Sequence, residues 1–434
     1  MKHMKKLLAL LLALAMIISI LPAALAADNP AAAAGDVAVN ETNFPDANFR
    51  AWVSSNVDKD NNGWLSDTER SIDRLSCTEK NVASLEGVNF FQKLSYLSCR
   101  GNSLTELSLR LPLLEELNCY ENPLTSLNLG GCPALKKADC HSCQLTSLDV
   151  TKNAALTSLD CSSNQLTSLD VTWNAKLEHL DCFSNRLQDL SLRRNHMLKE
   201  LICSANQLIS LDLWDNPRLQ KLSCGRNPLT SLDLFMIPAL TDLACDRCEL
   251  TKLDLSGNPA LKILRCYENQ LKSLDLTGNP ALEILDSYNN QLSGLDVSAC
   301  PALYQLIVNT NYLPCLDIRN NPKLIGLIST VTPDTGSNPG EIRYEDGKIK
   351  LFIDESTSMI TAGSGIPIDS LRFPDEKFRD YVGSRFDVDE NSFFNDAERS
   401  AVTEIYCSLN NIASLQGVEY FPNLTQSLPA AITS

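Results

Sequence analysis

Residues 156–177 read LTSLDCSSNQLTSLDVTWNAKL and contain one complete unit of a repeat that fills most of the chain. The first half of this unit matches the pattern L-x-x-L-x-C-x-x-N-x-L, with Leu159, Cys161, Asn164 and Leu166 in register. Leu159 and Cys161 are two positions apart, so in a short strand both side chains point to the same side. The unit therefore predicts a strand whose leucine and cysteine face an interior.

Cysteines follow the same period along the chain. Eight of them are separated by intervals of 21 residues: Cys119, Cys140, Cys161, Cys182, Cys203, Cys224, Cys245 and Cys266. Disulfide scaffolds pair cysteines across irregular loops, whereas a fixed period gives each cysteine the same structural role in successive units. Ser287 and Val308 take this position near the end of the repeats without breaking the period. We predict buried spacers that are mostly free thiols and chemically inert.

The period predicts an α/β leucine-rich-repeat solenoid, right-handed and curved, over residues 75–330. Short parallel strands of successive coils stack about 4.8 Å apart, and stacking supplies the core that a single coil cannot form. A column of asparagines is expected to satisfy backbone groups where the chain leaves each strand. Its members are Asn164, Asn185, Asn206, Asn227, Asn269, Asn290 and Asn311, with Cys143 and Cys248 as weaker substitutes in the same column.

Aspartates recur in the second half of the units. They are Asp149, Asp170, Asp212, Asp233, Asp254, Asp275, Asp296 and Asp317. One interpretation is a strip that binds cations. The other is that each carboxylate faces solvent or accepts nearby backbone N–H groups. We favour the second, because stacked like charges repel unless each is compensated.

In its repeat LDCSSNQLTSLDV, residues 159–171, the chain resembles the internalin-like, cysteine-ladder branch of bacterial leucine-rich-repeat proteins. The resemblance covers more than half of the chain. It implies a curved solenoid on a bacterial surface that binds a host glycoprotein or another extracellular partner. The sequence departs from wall-anchored proteins in having no L-P-x-T-G sorting motif before Ser434.

The first 26 residues predict a secretory signal peptide. Three lysines precede an apolar run, and Ala24-Leu25-Ala26 supplies the small residues expected before a cleavage site. No second apolar stretch is long enough to span a bilayer, so we expect no membrane insertion after cleavage. The formal net charge of −16 argues against a nucleic-acid partner. We expect a secreted or cell-surface-associated protein, and a monomer.

Two related segments flank the repeats, at residues 41–74 and 369–425. The first contains FPDANFR from Phe44, and the second contains FPDEKFR from Phe373. We predict a duplicated helical capping module that covers an open strand edge, the second copy being degenerate.

Residues 58–69 of the first copy, DKDNNGWLSDTE, match an EF-hand calcium loop with Gly63 at the sharp turn. The predicted calcium ligands are Asp58, Asp60, Asn62, Trp64 (through its carbonyl), Ser66 and Glu69. Ser66 and Glu69 also form the pattern of a helix capping box, which alone would explain those two residues. We expect a structural calcium ion here. Ser392 replaces the glycine in the second copy, which predicts a weaker site.

Residues 331–368 predict a Pro/Gly/Ser-rich linker followed by a β-hairpin that turns at Asp346-Gly347 and covers the far end of the solenoid. The second capping module, unlike the first, is not followed by further repeats before Ser434. The sequence therefore suggests a shortened version of a longer, two-solenoid protein.

No catalytic constellation is apparent, so we expect no enzyme. Function is expected at the position that follows each ladder cysteine, on the concave face. The predicted ligand-binding residues are Tyr120, His141 and Phe183, then Tyr267 and Tyr288, with Asp160 and Asp181 among the acids beside them. We predict an adhesin-like extracellular bacterial binding protein that recognises a host protein or glycoprotein. The alternative is an assembly module that docks a partner through the calcium-binding cap.

Overall fold

The structure of the protein is a computed structural model that describes most of the repeat region and parts of the segment after it. The described residues are 35–313, 315–325, 351–352, 358–360, 366–368, 372–388, 393–394, 396–402, 404–406, 415–424 and 426–428. The predicted signal peptide and the predicted hairpin turn at Asp346-Gly347 lie outside these residues.

One parallel sheet runs through the described repeats. Its strands are Arg74–Ser76, Tyr96–Ser98, Glu116–Asn118, Lys137–Asp139, Ser158–Asp160, His179–Asp181, Glu200–Ile202, Lys221–Ser223, Asp242–Ala244, Ile263–Arg265, Ile284–Asp286, Gln305–Ile307 and Leu351–Phe352. The register is constant, so that Leu159 pairs with Leu180 and Leu180 pairs with Leu201. The predicted leucine-rich-repeat solenoid with its 21-residue period is confirmed.

The interior of the sheet is formed by the leucines and cysteines that the period placed there. Leu180 and Cys182 are buried, and Asp181 between them faces outward. The fourteen cysteines whose side chains the structure describes are all buried free thiols. Burial raises the pKa of the ladder thiols, to about 12 at Cys77 and well above the usual range at Cys161. The ladder therefore fills space, as predicted.

The predicted asparagine column connects neighbouring coils. The Nδ2 group of Asn185 donates to the carbonyls of Cys161 and Cys182, at 3.0 and 3.2 Å. Nδ2 also donates to the Phe183 carbonyl at 3.4 Å, and Oδ1 accepts the Leu166 N–H at 2.9 Å, so one amide contacts four backbone groups. At Cys143, in the same column, a thiol donates to the Cys119 carbonyl over 3.7 Å.

A second asparagine column, which the sequence analysis did not identify, lies on the opposite wall. Its members are Asn153, Asn174, Asn195, Asn216, Asn258, Asn279 and Asn321, and Cys132, Ile237 and Cys300 take the same position in other coils. The Nδ2 group of Asn195 donates to the carbonyls of Val171 and Asn174, both at 3.1 Å. Its buried Oδ1 has no hydrogen-bond partner among the described residues.

The wall that carries this second column contains the recurring aspartates. Two short strands, Glu106–Ser108 and Ser126–Asn128, pair in parallel at its start. In the turns that follow, the Oδ1 of Asp170 accepts the N–H and the hydroxyl of Thr172, at 2.9 and 2.6 Å. The Thr172 hydroxyl and backbone N–H lower the pKa of Asp170. All eight aspartates accept the N–H two residues on, which confirms the second interpretation of this column.

The first capping module is a helix–loop–helix unit. Helix Ala47–Asn56 begins after Asp46, whose Oδ1 accepts the Phe49 N–H at 2.7 Å. Helix Asp67–Arg70 begins with the predicted capping box. Between them, strand Trp64–Leu65 pairs antiparallel with Val37–Ala38. A 3-10 turn, Val88–Phe90, follows the first repeat strand.

The second capping module repeats these elements. It comprises helices Glu376–Phe386 and Asp396–Ala401, strands Ile366–Pro367, Phe393–Phe394, Glu404–Tyr406 and Gln426–Leu428, and the 3-10 turn Val418–Tyr420. Equivalent arginines donate to equivalent carbonyls: Arg379 to Phe373 at 2.8 Å, and Arg50 to Phe44 at 2.7 Å. The two modules therefore share local contacts as well as sequence.

Both modules need a glycine at the same place. Gly87 and Gly417 have φ angles of +99° and +104°, and an added Cβ would lie within 2.5 Å of a phenylalanine ring atom in each. The close approach to Phe44 and Phe373 explains why this position tolerates no side chain.

The segment after the repeats adds strands to both walls at the far end. Leu351–Phe352 pairs in parallel with Gln305–Ile307, and Ser358–Ile360 pairs in parallel with Cys315–Asp317. A short helix, Pro322–Ile325, precedes them. This part of the chain lies at the end of the sheet, and its described strands continue the parallel pairing. The predicted hairpin stays a prediction, because its turn lies outside the described residues. Within the described residues, no helix has the length and apolar character needed to cross a membrane.

Candidate binding surface

The outward side of the main sheet, which we call the strand face, carries the predicted ligand-binding residues. Each coil places the residue after its ladder position here, beside the outward residue of its strand. Consecutive coils therefore display four of these positions side by side: Tyr120, His141, Ser162 and Phe183.

Tyr120 and His141 form a stacked pair on neighbouring coils. Their ring centroids are 4.3 Å apart with an interplanar angle of 17°. The guanidinium of Arg100, one coil earlier, lies 5.6 Å from the Tyr120 ring. The parallel register fixes all three backbones, so this row of side chains is held rigidly.

Three carboxylates lie next to the stacked pair. Asp139, Asp160 and Asp181 are direct partners across neighbouring strands. The Nδ1 atom of His141 is 2.7 Å from Asp139 Oδ1 and 3.9 Å from Asp160 Oδ2. Burial, and to a lesser degree the charge of Asp160, raises the pKa of Asp181 to about 6.

Phe183 completes this group of predicted residues. Its side chain is 39% exposed, although it lies on a rigid sheet and carries a ring that would normally be buried. These neighbouring coils make up a surface that we call the N-terminal patch, in which Ser162 lies between His141 and Phe183. Its members are Tyr120, His141, Phe183, Asp139, Asp160 and Asp181.

Tyr267 and Tyr288 belong to a separate group. Four coils separate Phe183 from Tyr267, a distance of about 20 Å along the sheet. Burial and the nearby Asp246 carboxylate raise the pKa of Tyr267 to about 12. Arg247 forms an ion pair of 2.6 Å with Glu268 beside this ring. The predicted ligand residues therefore lie in two groups on the strand face, as their spacing in the sequence indicates.

Known structures share this architecture. The functional domain of InlJ from Listeria monocytogenes, which includes a cysteine ladder, is 30% identical to this chain. The match covers 67% of this chain and 74% of the InlJ chain, with a TM-score of 0.49. The chain belongs to the internalin-like leucine-rich-repeat proteins. The internalin InlF from the same species is 22% identical over 71% of this chain and 100% of that one, with a TM-score of 0.55, which supports the shared fold. No protein-family model and no curated protein matches the sequence.

Leucine-rich-repeat solenoids of this kind are protein-binding modules, because stacking of the coils creates an extended surface. This internalin-like chain also exposes aromatic residues away from the strand face, which the sequence analysis did not identify. Trp173, Trp214 and Phe235 lie in turns of the opposite wall and are 58%, 63% and 69% exposed. The period of the sequence places these three residues outside the interior columns, so their exposure could have been predicted from the spacing.

The cap loop of this leucine-rich-repeat protein brings three of its predicted calcium ligands together. Carboxylate oxygens of Asp58, Asp60 and Glu69 all lie within 4.8 Å of one another. Gly63 has a φ of +82°, and its N–H donates to Asp58 Oδ2 at 2.9 Å. Of the other predicted ligands, Asn62 accepts the Trp64 N–H through its Oδ1 at 2.7 Å.

Glu69 has two structural roles in this loop. Its Oε1 accepts the Lys59 N–H at 2.7 Å, and its Oε2 accepts the Ser66 N–H at 2.9 Å in the capping box. Burial raises the pKa of Glu69, but hydrogen bonds from Ser66 and the backbone outweigh it, so the net shift is downward. An ionised glutamate beside two aspartates fits the oxygen-rich environment that calcium prefers. In the equivalent loop of the second cap, residues 389–392 and 395 lie outside the described residues.

Proposed function

We propose that the chain is an exported, adhesin-like bacterial protein that binds an extracellular host protein or glycoprotein through the N-terminal patch of its strand face. The observation that carries the proposal is the exposed Phe183 ring, two coils from the Tyr120–His141 stack on the same rigid sheet. Aromatic side chains held rigidly contribute a large share of binding energy at protein interfaces. The predicted signal peptide supports export.

The carboxylates of the patch indicate the kind of partner. Asp139, Asp160 and Asp181 lie in register next to the aromatic rings. Complementary charge steers association and selects partners. We expect the partner to present lysines or arginines around an apolar group, and we expect its association rate to fall as the salt concentration rises.

Binding of the mature chain to panels of host extracellular proteins and glycans would identify the partner, and surface plasmon resonance would then give its Kd. We expect Phe183→Ala and Tyr120→Ala each to weaken binding by roughly 30-fold, a hot-spot effect of about 2 kcal/mol. Phe235→Ala and Trp214→Ala are matched controls, since these aromatics are exposed on the opposite wall. Loss of binding in the controls alone would reject the N-terminal patch.

We also propose that calcium binds the loop of residues 58–69 and stabilises the first cap. The convergence of Asp58, Asp60 and Glu69 supports this. Calcium at about 100 times its Kd should stabilise the folded state by about 2.7 kcal/mol. Thermal unfolding, with tryptophan fluorescence from Trp52 and Trp64, should show a calcium-dependent shift that chelator reverses and Asp60→Asn abolishes. An unchanged melting temperature and fluorescence would refute it.

The Asp60→Asn variant also tests the alternative assembly role. A partner bound through the N-terminal patch should bind this variant with the wild-type Kd. A partner docked on the calcium-loaded cap should lose affinity instead.

A further inference from the structure

Three potential metal-ligand atoms meet on the strand face at the side chains of Asp139, His141 and Asp160. The Nδ1 atom of His141 lies 2.7 Å from Asp139 Oδ1 and 3.9 Å from Asp160 Oδ2. One ligand atom from each residue lies within 4.8 Å of the others. One imidazole nitrogen and two carboxylate oxygens form a donor set that suits a divalent transition metal with water completing the coordination.

Neighbouring groups orient these side chains. The N–H and the hydroxyl of Ser162 donate to Asp160 Oδ1 at 3.0 and 2.7 Å. These bonds occupy Oδ1, and it is Oδ2 that faces His141. Stacking on Tyr120 fixes the plane of the imidazole ring. Supporting contacts of this kind hold the ligands of protein metal sites in place.

The electrostatics of the sheet favour a cation at the same point. Like charges directly opposite each other on paired strands are destabilising, and Asp139 is opposite Asp160. In the described part of the chain, His141 is the one basic side chain whose nitrogen lies within 4.0 Å of either carboxylate, at 2.7 and 3.9 Å. A bound cation would neutralise charge that the protein leaves largely uncompensated.

A second histidine on the same face provides a contrast. The Nδ1 atom of His179 is 3.2 Å from Glu200 Oε2, which is also a histidine–carboxylate pair on neighbouring strands. Among the described residues, no second carboxylate joins this pair as a third ligand. The convergence at His141 is therefore a local feature rather than a property of every histidine on the sheet.

We propose that Asp139, His141 and Asp160 bind a divalent transition-metal ion such as Zn²⁺. Imidazole is not a ligand that calcium or magnesium prefers, so this site differs from the cap loop in the metal it selects. Metal binding is a property beyond the proposed recognition of a protein partner. Zinc affinity can be measured without that partner.

Isothermal titration calorimetry of the chelator-treated mature chain with Zn²⁺ tests the proposal. Saturating calcium in the buffer occupies the cap loop. We expect one strand-face zinc ion, with binding at least tenfold weaker in His141→Ala and in Asp160→Asn. His179→Ala is the matched control and should bind zinc with the wild-type Kd. Cobalt bound in place of zinc should show no thiolate charge-transfer absorption, which separates this site from the cysteines.

Asp160→Asn keeps the side-chain oxygen that accepts hydrogen bonds from Ser162, so we expect this variant to fold. It decides the outcome if His141→Ala does not fold. The proposal is overturned if the wild-type chain binds no zinc, if both variants bind it unchanged, or if the cobalt spectrum is that of a thiolate site. None of these results depends on whether a host partner is found.

Discussion

The interior columns and the strand face follow the same 21-residue period, but residues are repeated in the interior and vary on the strand face. Cys161, Cys182 and Cys203 are identical and buried in successive coils. The residues that directly follow the first two, Ser162 and Phe183, differ in size and chemistry. Each coil packs against its neighbours alone, so interior positions must match from coil to coil. Outward positions are released from that requirement, and their variation is where specificity can lie.

The largest expected effect separates the two buried asparagine columns. Asn185→Ala removes one acceptor and three donor contacts, and should lower the free energy of unfolding by about 2–3 kcal/mol. Asn195→Ala loses donor contacts alone and also removes a buried Oδ1 without a partner, so we expect about 1 kcal/mol. Guanidinium denaturation of both variants measures the difference. Equal losses of unfolding free energy in the two variants would show that the unpartnered Oδ1 of Asn195 does not destabilise the fold.

Asp286 is an outward residue that behaves like an interior one. Burial raises the pKa of this carboxyl from 3.8 to about 6. The folded state favours the protonated Asp286 carboxyl. Its effect on the free energy of unfolding is therefore fully present below pH 4 and is lost as the pH rises through about 6. Asp286→Asn does not ionise, so at pH 7 it should be more stable than the wild type by on the order of 1–2 kcal/mol. Urea denaturation at pH 4 and pH 7 should give different stability changes; a pH-independent difference would contradict the prediction.

Cysteines replace asparagine in both columns, for example Cys143 in the first and Cys132 in the second. Changing each of these two to asparagine compares the two columns directly. Cys143→Asn should stabilise the chain by about 1 kcal/mol, because an amide at this position would accept a backbone N–H as Asn164 does. Cys132→Asn should be nearly neutral, since it would add another buried Oδ1 without a partner, as at Asn153. Midpoints of chemical unfolding test the pair. A gain at Cys132 as large as that at Cys143 would contradict it.

The smallest expected effect is on the strand face. Phe183→Ala should change the free energy of unfolding by less than about 0.5 kcal/mol, because its ring is 39% exposed. Thermal unfolding beside the wild type provides the measurement. A loss above about 1 kcal/mol would mean that Phe183 supports the fold, and its effect on partner binding would need a different explanation.

The sequence predicted the fold because the interior is periodic. Leu159, Cys161 and Asn164 could be assigned to buried positions from spacing alone, since a period of 21 residues fixes the register of every coil. The second asparagine column, including Asn174 and Asn195, follows the same period and was overlooked although its signal was present.

The candidate site was less predictable. The positions of Tyr120 and His141 on the strand face followed from the repeat, but their stacking and the contact of His141 with Asp139 depend on side-chain rotamers across two coils. Tyr267 and Tyr288 were predicted as a second aromatic grouping on the same face, and their distance from Phe183 follows from the repeat spacing. The parallel pairing of Leu351–Phe352 could not be derived, because it depends on the path of the chain after the repeats.

The constant register has an evolutionary consequence. Because each strand residue pairs with the residue one period away, duplication or deletion of a whole unit leaves every remaining interior contact equivalent. Recombination between similar repeats can therefore lengthen or shorten the surface in steps of about 4.8 Å, one strand at a time. Such a scaffold can acquire new recognition properties without passing through an unfolded ancestor.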